Sequence, residues 1–233
     1  MTSIIPKKTE KIFISIQGNI GAGKSTLVKA LQKWKCGAKN PNILFLQEPV
    51  DDWMNIKDKN GNDMLSLFYR DQSKYSFSFQ MMTYISRLEL LMDSIEESDA
   101  DIIISERSLS TDKHIFCQML YNQGKISDVE FQIYNRWFDR FQKNIPKENI
   151  IYLRTSPAIT KNRINFRKRK GEIVSMEYLE DCHEYHEKWI EREVSDNLDG
   201  VGTKRVLIID GDMDIEDGSN EQRMLANEVY AFI

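Results

Sequence analysis

Cysteine is scarce in this chain, and long apolar runs are missing. The three cysteines, Cys36, Cys117 and Cys182, are odd in number and far apart, which argues against a disulfide framework or a CxxC metal pair. Apolar runs such as Ile150–Leu153 hold four residues, whereas a membrane-spanning helix needs roughly 20. We therefore expect buried or unreactive thiols, a reducing compartment and no membrane-spanning helix.

A strong charge of one sign and an apolar leader are also missing. The formal net charge is −4, from 32 basic and 36 acidic residues, so bulk charge does not favour nucleic acid or an anionic membrane as a partner. The opening MTSIIPKKTEK lacks the apolar stretch of roughly 7–15 residues found in a secretory signal. These absences predict an intracellular, cytoplasmic protein that binds neither nucleic acid nor membrane.

Short apolar runs recur between stretches of helical periodicity, an alternation typical of βαβ units on a parallel sheet. Strands are expected near Ile12–Gln17, Ile43–Gln47, Asp101–Ser105, Asn149–Arg154 and Arg205–Asp210. Helices are expected near Lys24–Lys35, Met64–Ser98 with a break around Gln72, Ser110–Asn122, Asp128–Gln142, Pro157–Lys168, Met176–Ser195 and Asn220–Phe232. The 233 residues, 41% of them hydrophobic, thus predict one α/β domain, 1–233, whose five-stranded parallel sheet is flanked by helices.

The segment GNIGAGKST, from Gly18 to Thr26, follows the first predicted strand and satisfies the pattern GxxxxGK[ST]. Glycines let consecutive backbone amides encircle a phosphate, while the next helix points its positive end at the anion. Lys24 is expected to reach the β- and γ-phosphates, and the Ser25 hydroxyl to hold Mg²⁺. The motif predicts a nucleoside triphosphate and leaves its reaction open. The alternative is a glycine-rich turn without nucleotide.

Carboxylates follow the second and third predicted strands, whose carboxyl ends meet at one edge of an open parallel sheet. Glu48, in QEPVDDW, is placed to accept the proton of an attacking hydroxyl, and no cation is assigned beside it in the sequence. A surface glutamate before a proline turn is the alternative. Glu106 and Arg107, in SERS, offer a Mg²⁺ ligand and a charge for the transferring group, or else an internal ion pair.

Five segments carry a family resemblance: GNIGAGKST, EPVDDW, SFSFQ followed by SR, ERSLSTD and MEYLEDCHEYHEKW. Their order and spacing resemble the deoxyribonucleoside kinases related to deoxycytidine, deoxyguanosine and mitochondrial thymidine kinase, from about Ile12 to Asp214. The resemblance implies a P-loop kinase fold with an arginine-rich lid, ATP as donor, Mg²⁺ and a homodimer. It also implies phosphorylation of the 5′-hydroxyl of a deoxyribonucleoside, a reaction of nucleotide salvage.

The same resemblance implies roles for individual residues. Glu48 matches the base that deprotonates the 5′-hydroxyl, and Arg107 assists at the same oxygen. Glu106 matches the acidic magnesium residue. Tyr69, in LFYRD, and Glu172 match the pair that hydrogen-bonds the sugar 3′-hydroxyl. The chain is one residue shorter before VSMEYL than the relative to which it aligns, which bears on the placement of Glu172.

The base-binding pocket is likewise assigned by resemblance. Gln80 matches the glutamine whose amide, both donor and acceptor, pairs with the edge of the base. The apolar walls of the family's pocket are matched by Trp53, Phe79 and Phe116 in this chain. Arg87 and Asp112 resemble the combination in deoxycytidine and deoxyguanosine kinases, which favours deoxycytidine or a purine deoxynucleoside. A structural salt bridge that does not read the base is the alternative.

Six of the ten residues from Lys161 to Lys170 are basic, a cluster that fits nucleic acid, nuclear import or a lid over the triphosphate. We favour the lid, at about 161–173, with arginines Arg163, Arg167 and Arg169. The resemblance assigns further ATP contacts to Gly18, Asn19, Ile20, Gly21, Ala22, Gly23, Lys24, Ser25, Thr26, Asp214 and Ile215.

Two patterns imitate metal sites. His183 and His186 are three residues apart, not four as in HExxH, so a solvated helix face is the expected explanation. The acidic segment IIDGDMDIED departs from the spacing of a calcium loop.

The sequence therefore predicts an ATP-dependent deoxynucleoside kinase in which positioning and charge stabilisation carry catalysis. A thymidine-preferring or broad-specificity kinase is an alternative. So is a nucleoside monophosphate kinase, which needs basic residues to hold an acceptor phosphate. A nucleotide-dependent regulatory protein without transfer activity is the rival from another class.

Overall fold

The computed structural model describes residues 11–34, 42–169, 172–198 and 204–233. Five parallel strands form one sheet in the order β2-β3-β1-β4-β5. The strands are β1 (Ile12–Gly18), β2 (Ile43–Leu46), β3 (Ile102–Glu106), β4 (Glu148–Arg154) and β5 (Val206–Asp210). Their Ile- and Leu-rich sequences suit a sheet covered on both faces, and the predicted α/β P-loop kinase fold is confirmed.

Ten α-helices and one π-helical segment lie within the described ranges. The helices are α1 (Lys24–Lys33), α2 (Val50–Asn55), α3 (Met64–Arg70), α4 (Gln72–Glu97), α5 (Leu109–Thr111), α6 (Gln118–Asn122), α7 (Asp128–Gln142), α8 (Pro157–Arg167), α9 (Met176–Leu198) and α10 (Asn220–Phe232). The π-helical segment, Asp112–Cys117, joins α5 to α6.

Local chemistry explains where several helices begin. The predicted break around Gln72 is confirmed at Asp71, which ends α3 and whose side chain accepts from the Lys74 amide at the start of α4. Ser127 and Glu130 form a reciprocal cap at the start of α7. Such caps satisfy amides that have no partner within the helix.

The sheet places the site at its carboxyl edge. β1 lies in the centre, paired with β3 on one side and β4 on the other. Ile14 and Ile16 pack in a core with α1 and α10, whereas Phe13 packs against α4. Because the chain connections diverge on either side of β1, a crevice opens beyond its carboxyl end. The phosphate loop and the ends of β2 and β3 line this crevice.

Some predictions need correction or fall outside the described ranges. The prediction that the two α9 histidines lie on a solvated face was wrong for His186, which is fully buried and whose Nδ1 lies 2.6 Å from the Cys182 carbonyl oxygen. Cys117 and Cys182 are buried free thiols, as predicted, but Cys36 lies outside the described residues. So do residues 170–171 of the predicted lid.

Candidate active site

A cavity of about 700 Å³ opens at the carboxyl edge of the sheet, beside the phosphate loop. Every side chain that we assigned to the acceptor lines it: Glu48, Trp53, Tyr69, Phe79, Gln80, Arg87, Arg107, Asp112, Phe116 and Glu172. These residues come from segments between positions 48 and 172, so the fold has gathered them. We call this space the acceptor cavity.

Glu48 stands in the turn between β2 and α2, where the Val50 amide donates to its carbonyl. Although no cation is assigned beside Glu48 in the sequence, two arginines distant in the chain flank its carboxylate: Arg107 Nε lies 3.0 Å and Arg87 Nη2 3.1 Å from Oε1. Both guanidinium groups contact the same oxygen. The other oxygen, Oε2, is therefore the one that can face an acceptor.

The same two arginines fix the charge of Glu48. Burial by itself would raise the pKa of this carboxyl group, but Arg107, Arg87 and Lys24 outweigh burial and lower the pKa to about 2. Glu48 is consequently an ionised carboxylate at neutral pH. Its orientation is set by guanidinium groups that present directional hydrogen-bond donors.

Arg87 joins Glu48 to Asp112, at the end of the cavity that we predicted to bind the base. Its Nε donates to Asp112 Oδ2 at 3.0 Å, and its Nη1 donates to the Glu106 carbonyl at 3.2 Å. Burial raises the pKa of Asp112, and pairing with Arg87 opposes that shift. The ion pair expected from the sequence is therefore present, and it is buried.

Gln80 and a set of aromatic rings form the inner wall. Gln80 is buried, and its Oε1 has no hydrogen-bond partner within the described part of the chain. An unpaired buried oxygen is costly unless a ligand satisfies it. Phe68 stacks on Phe79 with ring centroids 4.4 Å apart, and the Trp53 ring lies edge-on to Phe79.

Phe68 and Tyr178 also line the acceptor cavity, although we did not single them out from the sequence. Each stands inside a segment that we quoted, LFYRD and MEYLEDC, so position within a motif was the available signal. Tyr69 lies edge-on to Tyr178, and burial raises the pKa of Tyr69. Tyr69 is therefore a neutral hydroxyl donor at the cavity wall.

A second cavity, of about 1440 Å³, lies along the phosphate loop and is called the donor cavity. Loop residues Gly21 to Thr26 line it, but Ile20 faces the acceptor cavity instead. Asn19 uses its side chain within the protein, donating to the Leu179 carbonyl at 2.8 Å. Gly18 is the last residue of β1 and lines neither cavity.

Glycine is required at Gly21 for two reasons. Its φ is +79°, which disfavours other residues, and a Cβ there would stand 2.7 Å from the Thr160 carbonyl oxygen. The phosphate loop can therefore approach α8 closely. This contact brings the basic end of α8 towards the loop.

Lys24 and Ser25 face both cavities. Lys24 Nζ donates to the carbonyls of Gly18 and Asn19 at 3.2 and 2.9 Å. Burial, reinforced by Arg107, lowers the pKa of Lys24 to about 7. Ser25 Oγ donates to Glu106 Oε1 at 2.9 Å, which brings together the two oxygen-bearing side chains that we predicted as magnesium ligands.

The geometry is thus that of a phosphate loop beside the cavity that we predicted for an acceptor. A family model for deoxynucleoside kinase matches residues 14–233. The chain belongs to the deoxynucleoside kinase family. This enzyme is therefore a kinase that phosphorylates a deoxynucleoside, as the sequence predicted, and it serves nucleotide salvage.

Curated relatives agree with this assignment over most of their lengths. A probable deoxycytidine kinase of fowlpox virus (strain NVSL) is 37% identical, over 94% of this chain and 87% of the relative. Deoxycytidine kinase 2 of Gallus gallus is 30% identical, over 100% of this chain and 94% of the relative. A mitochondrial deoxyguanosine kinase of Xenopus laevis is 28% identical, over 94% and 89%.

The arginines in the basic segment of this deoxynucleoside kinase make two kinds of contact. Arg167 donates to Glu172 Oε1 at 2.7 Å, and Arg169 lies 3.8 Å from the same oxygen. Both arginines line both cavities. Arg163 instead donates to main-chain carbonyls of Ala22, Gly211 and Met213. Asp214 and Ile215 line the donor cavity, as assigned.

Neither a clustered metal site nor a membrane-spanning helix is found in the described ranges of the kinase. No cluster of three or more His, Cys, Asp or Glu side chains in those ranges could hold a metal ion. None of the helices described there has the length and apolar character needed to cross a membrane. Burial, together with the charge of Arg107, lowers the pKa of His186 far below its ordinary value, so this side chain is neutral.

Proposed function

We propose that this kinase transfers the γ-phosphoryl group of ATP to the 5′-hydroxyl of a deoxyribonucleoside, with deoxycytidine or a purine deoxynucleoside preferred. One observation carries the proposal. Both arginines contact Oε1 of Glu48, and no hydrogen bond to Oε2 is found among the described residues, in a cavity that shares Gly21, Lys24 and Ser25 with the donor cavity. An acceptor hydroxyl and a terminal phosphate can therefore meet beside one carboxylate.

In this proposal Glu48 Oε2 accepts the proton of the 5′-hydroxyl as the oxygen attacks phosphorus. Arg107 Nε holds Oε1, and Arg107 Nη1, which has no partner among the described residues, is available to the reacting oxygen. A fixed donor in a dry pocket stabilises charge without reorganising during the reaction. Both groups therefore act mainly by position and charge.

The rest of the acceptor is held at its sugar and its base. We assign Tyr69 and Glu172 to the sugar 3′-hydroxyl, as the resemblance implies, and both line the acceptor cavity. Gln80 pairs with the base edge through its free Oε1. The Arg87–Asp112 pair supplies a fixed carboxylate beside that edge, which favours a base with an exocyclic amino group. The names of the deoxycytidine kinase relatives support the same preference.

The donor side fits a magnesium nucleotide. Ser25 and Glu106 would hold Mg²⁺, since both present oxygen and already lie within hydrogen-bond distance of each other. Bound there, Mg²⁺ neutralises phosphate charge. Arg167 and Arg169 would meet the phosphates from the lid. For Arg163 we propose a positioning role, because its guanidinium already donates to three carbonyls.

A screen of the four deoxynucleosides with ATP and Mg²⁺ tests this function, with the four monophosphates as parallel acceptors. We expect transfer to deoxynucleosides, fastest to deoxycytidine or a purine deoxynucleoside, and none to monophosphates. Products are resolved by anion-exchange chromatography. Thymidine as the best acceptor would contradict the base preference. Transfer only to monophosphates would identify a nucleoside monophosphate kinase, and ATP binding without any transfer would indicate a regulatory protein.

We also propose that the kinase forms a homodimer through α4 and α7. Val129, Ile133 and Trp137 recur every four residues along α7 and are 65%, 41% and 46% exposed, and Ile85 on α4 is 52% exposed. Apolar stripes of this kind mark interaction surfaces. The sequence resemblance implies a homodimer, and we propose that the second copy of the chain covers these side chains.

Trp137→Glu is expected to convert the dimer to monomers, because a charge would be buried at the interface. Sedimentation velocity of both forms measures the change. Met224→Glu is the matched control, since Met224 is an exposed apolar side chain on α10, with 70% exposure, away from α4 and α7. A wild-type monomer, or a dimer that survives Trp137→Glu, would exclude this interface.

We further propose that residues 1–233 act as one kinase domain in the cytoplasm. The family model spans most of the chain, residues 14–233. The two described cysteines are free thiols, which fits a reducing compartment.

A further inference from the structure

A buried polar cluster joins β1, the first residue of β4 and the start of α5. We call it the polar junction. All of its side chains belong to residues with 6% exposure or less: Ser15, Gln17, Ser108, Ser110, Thr111 and Glu148. None of them lines either cavity. The mechanism proposed above therefore leaves the junction without a role.

Gln17 is the centre of the junction. Its Nε2 donates to Ser15 Oγ at 2.8 Å and to Ser108 Oγ at 3.0 Å, and lies 3.2 Å from Glu148 Oε1. Its Oε1 accepts from the Thr111 hydroxyl. Both ends of the amide are therefore used, and Gln17 ties β1 directly to α5.

Glu148 anchors the other side of the junction. Its Oε1 accepts from the Ser15 hydroxyl, and its Oε2 accepts from Ser110 Oγ at 2.6 Å. No cation forms a salt bridge with this carboxylate among the residues that the structure describes. Hydrogen bonds from neutral side chains are thus what satisfies it.

The junction holds a strained stretch of backbone. Arg107 has φ = +64°, in the left-handed region that side chains other than glycine rarely adopt. Such a conformation is unfavourable for a residue with a Cβ and persists only where its surroundings impose it. Ser108 and Thr111 cap one another immediately after Arg107, and the Arg107 amide donates to the Ile16 carbonyl at 3.0 Å.

Stability alone is a poor reason for so many buried polar groups. Apolar side chains of similar volume usually stabilise a core at least as well, since they pay no desolvation cost. Hydrogen bonds differ in being directional, so a satisfied network fixes one arrangement of the elements that it joins. Here those elements are β1, which runs into the phosphate loop, and the turn that carries Arg107.

We propose that Gln17 and Thr111 are positioning residues, which through the polar junction hold Arg107 in place against Glu48 and the phosphate loop. This inference rests on the proposed function, in which Arg107 acts at the reacting oxygen. Gln17 and Thr111 do not touch the substrate. In this proposal they set turnover because the junction keeps Arg107 in the left-handed backbone (φ = +64°) from which its Nε contacts Glu48 Oε1.

Thr111→Val tests the proposal, because it keeps the shape of the side chain and removes the hydroxyl. We expect kcat to fall about 10- to 100-fold, the scale of a misplaced catalytic group, while the acceptor KM changes less than about threefold. Thr111→Ser restores the hydroxyl and is expected to keep kcat within about threefold of wild type. Steady-state kinetics with ATP and the best deoxynucleoside gives both constants.

Tyr152→Phe is the matched control. It also removes one hydroxyl from a buried residue next to Gln17 in the sheet, but that hydroxyl donates to Glu187 on α9 at 2.7 Å. It is expected to lower the melting temperature as Thr111→Val does and to leave kcat unchanged. Equal kcat in Thr111→Val and wild type, or equal losses in Thr111→Val and Tyr152→Phe, would overturn the positioning role.

Gln17→Met is a second test in case Thr111→Val does not fold. Methionine removes both the donor and the acceptor of the Gln17 side-chain amide. The same result is expected, a fall in kcat with little change in the acceptor KM. Wild-type protein with no transfer to any deoxynucleoside would refute the proposed function itself. Wild-type transfer together with unaffected Gln17→Met turnover would refute only the junction.

Discussion

Replacing Glu48 with glutamine lowers kcat by about 10²–10⁴, the contribution of a well-placed general base. Glutamine has nearly the size of glutamate and can still accept from Arg87 and Arg107 through one oxygen. It cannot take the proton of the acceptor hydroxyl. Binding of ATP should change little, since Glu48 lies in the acceptor cavity and is absent from the lining of the donor cavity. Turnover is measured with saturating acceptor, and ATP binding by calorimetry.

Glu191→Gln is the control for this substitution, because Glu191 is an exposed glutamate on α9. It should leave both turnover and ATP binding unchanged. If Glu48→Gln keeps turnover within a few-fold of wild type, the base must be another group. Loss of ATP binding in Glu48→Gln would instead indicate a disturbed fold.

The pH dependence of Glu48 follows from the sign of its shift. The pKa in the folded protein, about 2, lies below the ordinary value of 4.5, because Arg107, Arg87 and Lys24 outweigh the effect of burial. Stabilisation from this carboxylate is therefore complete above pH 4.5 and is lost as the pH falls towards 2. Wild-type kcat/KM should show no loss from Glu48 between about pH 8 and pH 5. A midpoint near pH 6 that disappears in Glu48→Gln would contradict this environment.

Replacing Lys24 with alanine is expected to lower kcat/KM for ATP by about 10²–10³, as removal of one preorganised charge donor does. Lys24 is the buried cation shared by the two cavities, and its Nζ already lies among the loop carbonyls of Gly18 and Asn19. Alanine leaves the loop glycines in place but removes the amino group that we propose engages the triphosphate.

Lys143→Ala is the control, since Lys143 is exposed beyond the end of α7. Initial rates at several ATP concentrations separate the two variants. Unchanged steady-state kinetics in Lys24→Ala would refute the assignment of the loop to the donor. Equal losses in both variants would show that overall charge, and not the site, sets the rate.

Much of the fold was predictable because its signals are local. The five strands fall within one or two residues of their predicted bounds, and the break between α3 and α4 coincides with Asp71. Helix α2 (Val50–Asn55) was missed, since six residues show too little periodicity. The π-helical segment, Asp112–Cys117, was also missed. Its hydrogen bonds span one residue more than those of an α-helix, and the sequence carries no clear mark of that.

His186 shows the limit of pattern reasoning. The spacing of the two histidines in CHEYHEKW does not fit a zinc motif and led us to expect a solvated face, yet the His186 ring is buried and stacks on Tyr152 with centroids 6.0 Å apart. One helix turn can bury a single polar residue between exposed ones. Only the packing of α9 against β4 decided which residue that was.

By itself, the sequence determined the phosphate loop, the parallel sheet and the residues that gather at its edge, because strand pattern and glycine spacing depend on neighbours in the chain. The tertiary structure alone decided which charges meet. Arg87 and Arg107 are 39 and 59 residues from Glu48 in sequence, yet both contact the same oxygen. Gln17 and Glu148 likewise meet across 131 residues. Such contacts depend on which strands lie side by side, and no local pattern specifies the order β2-β3-β1-β4-β5.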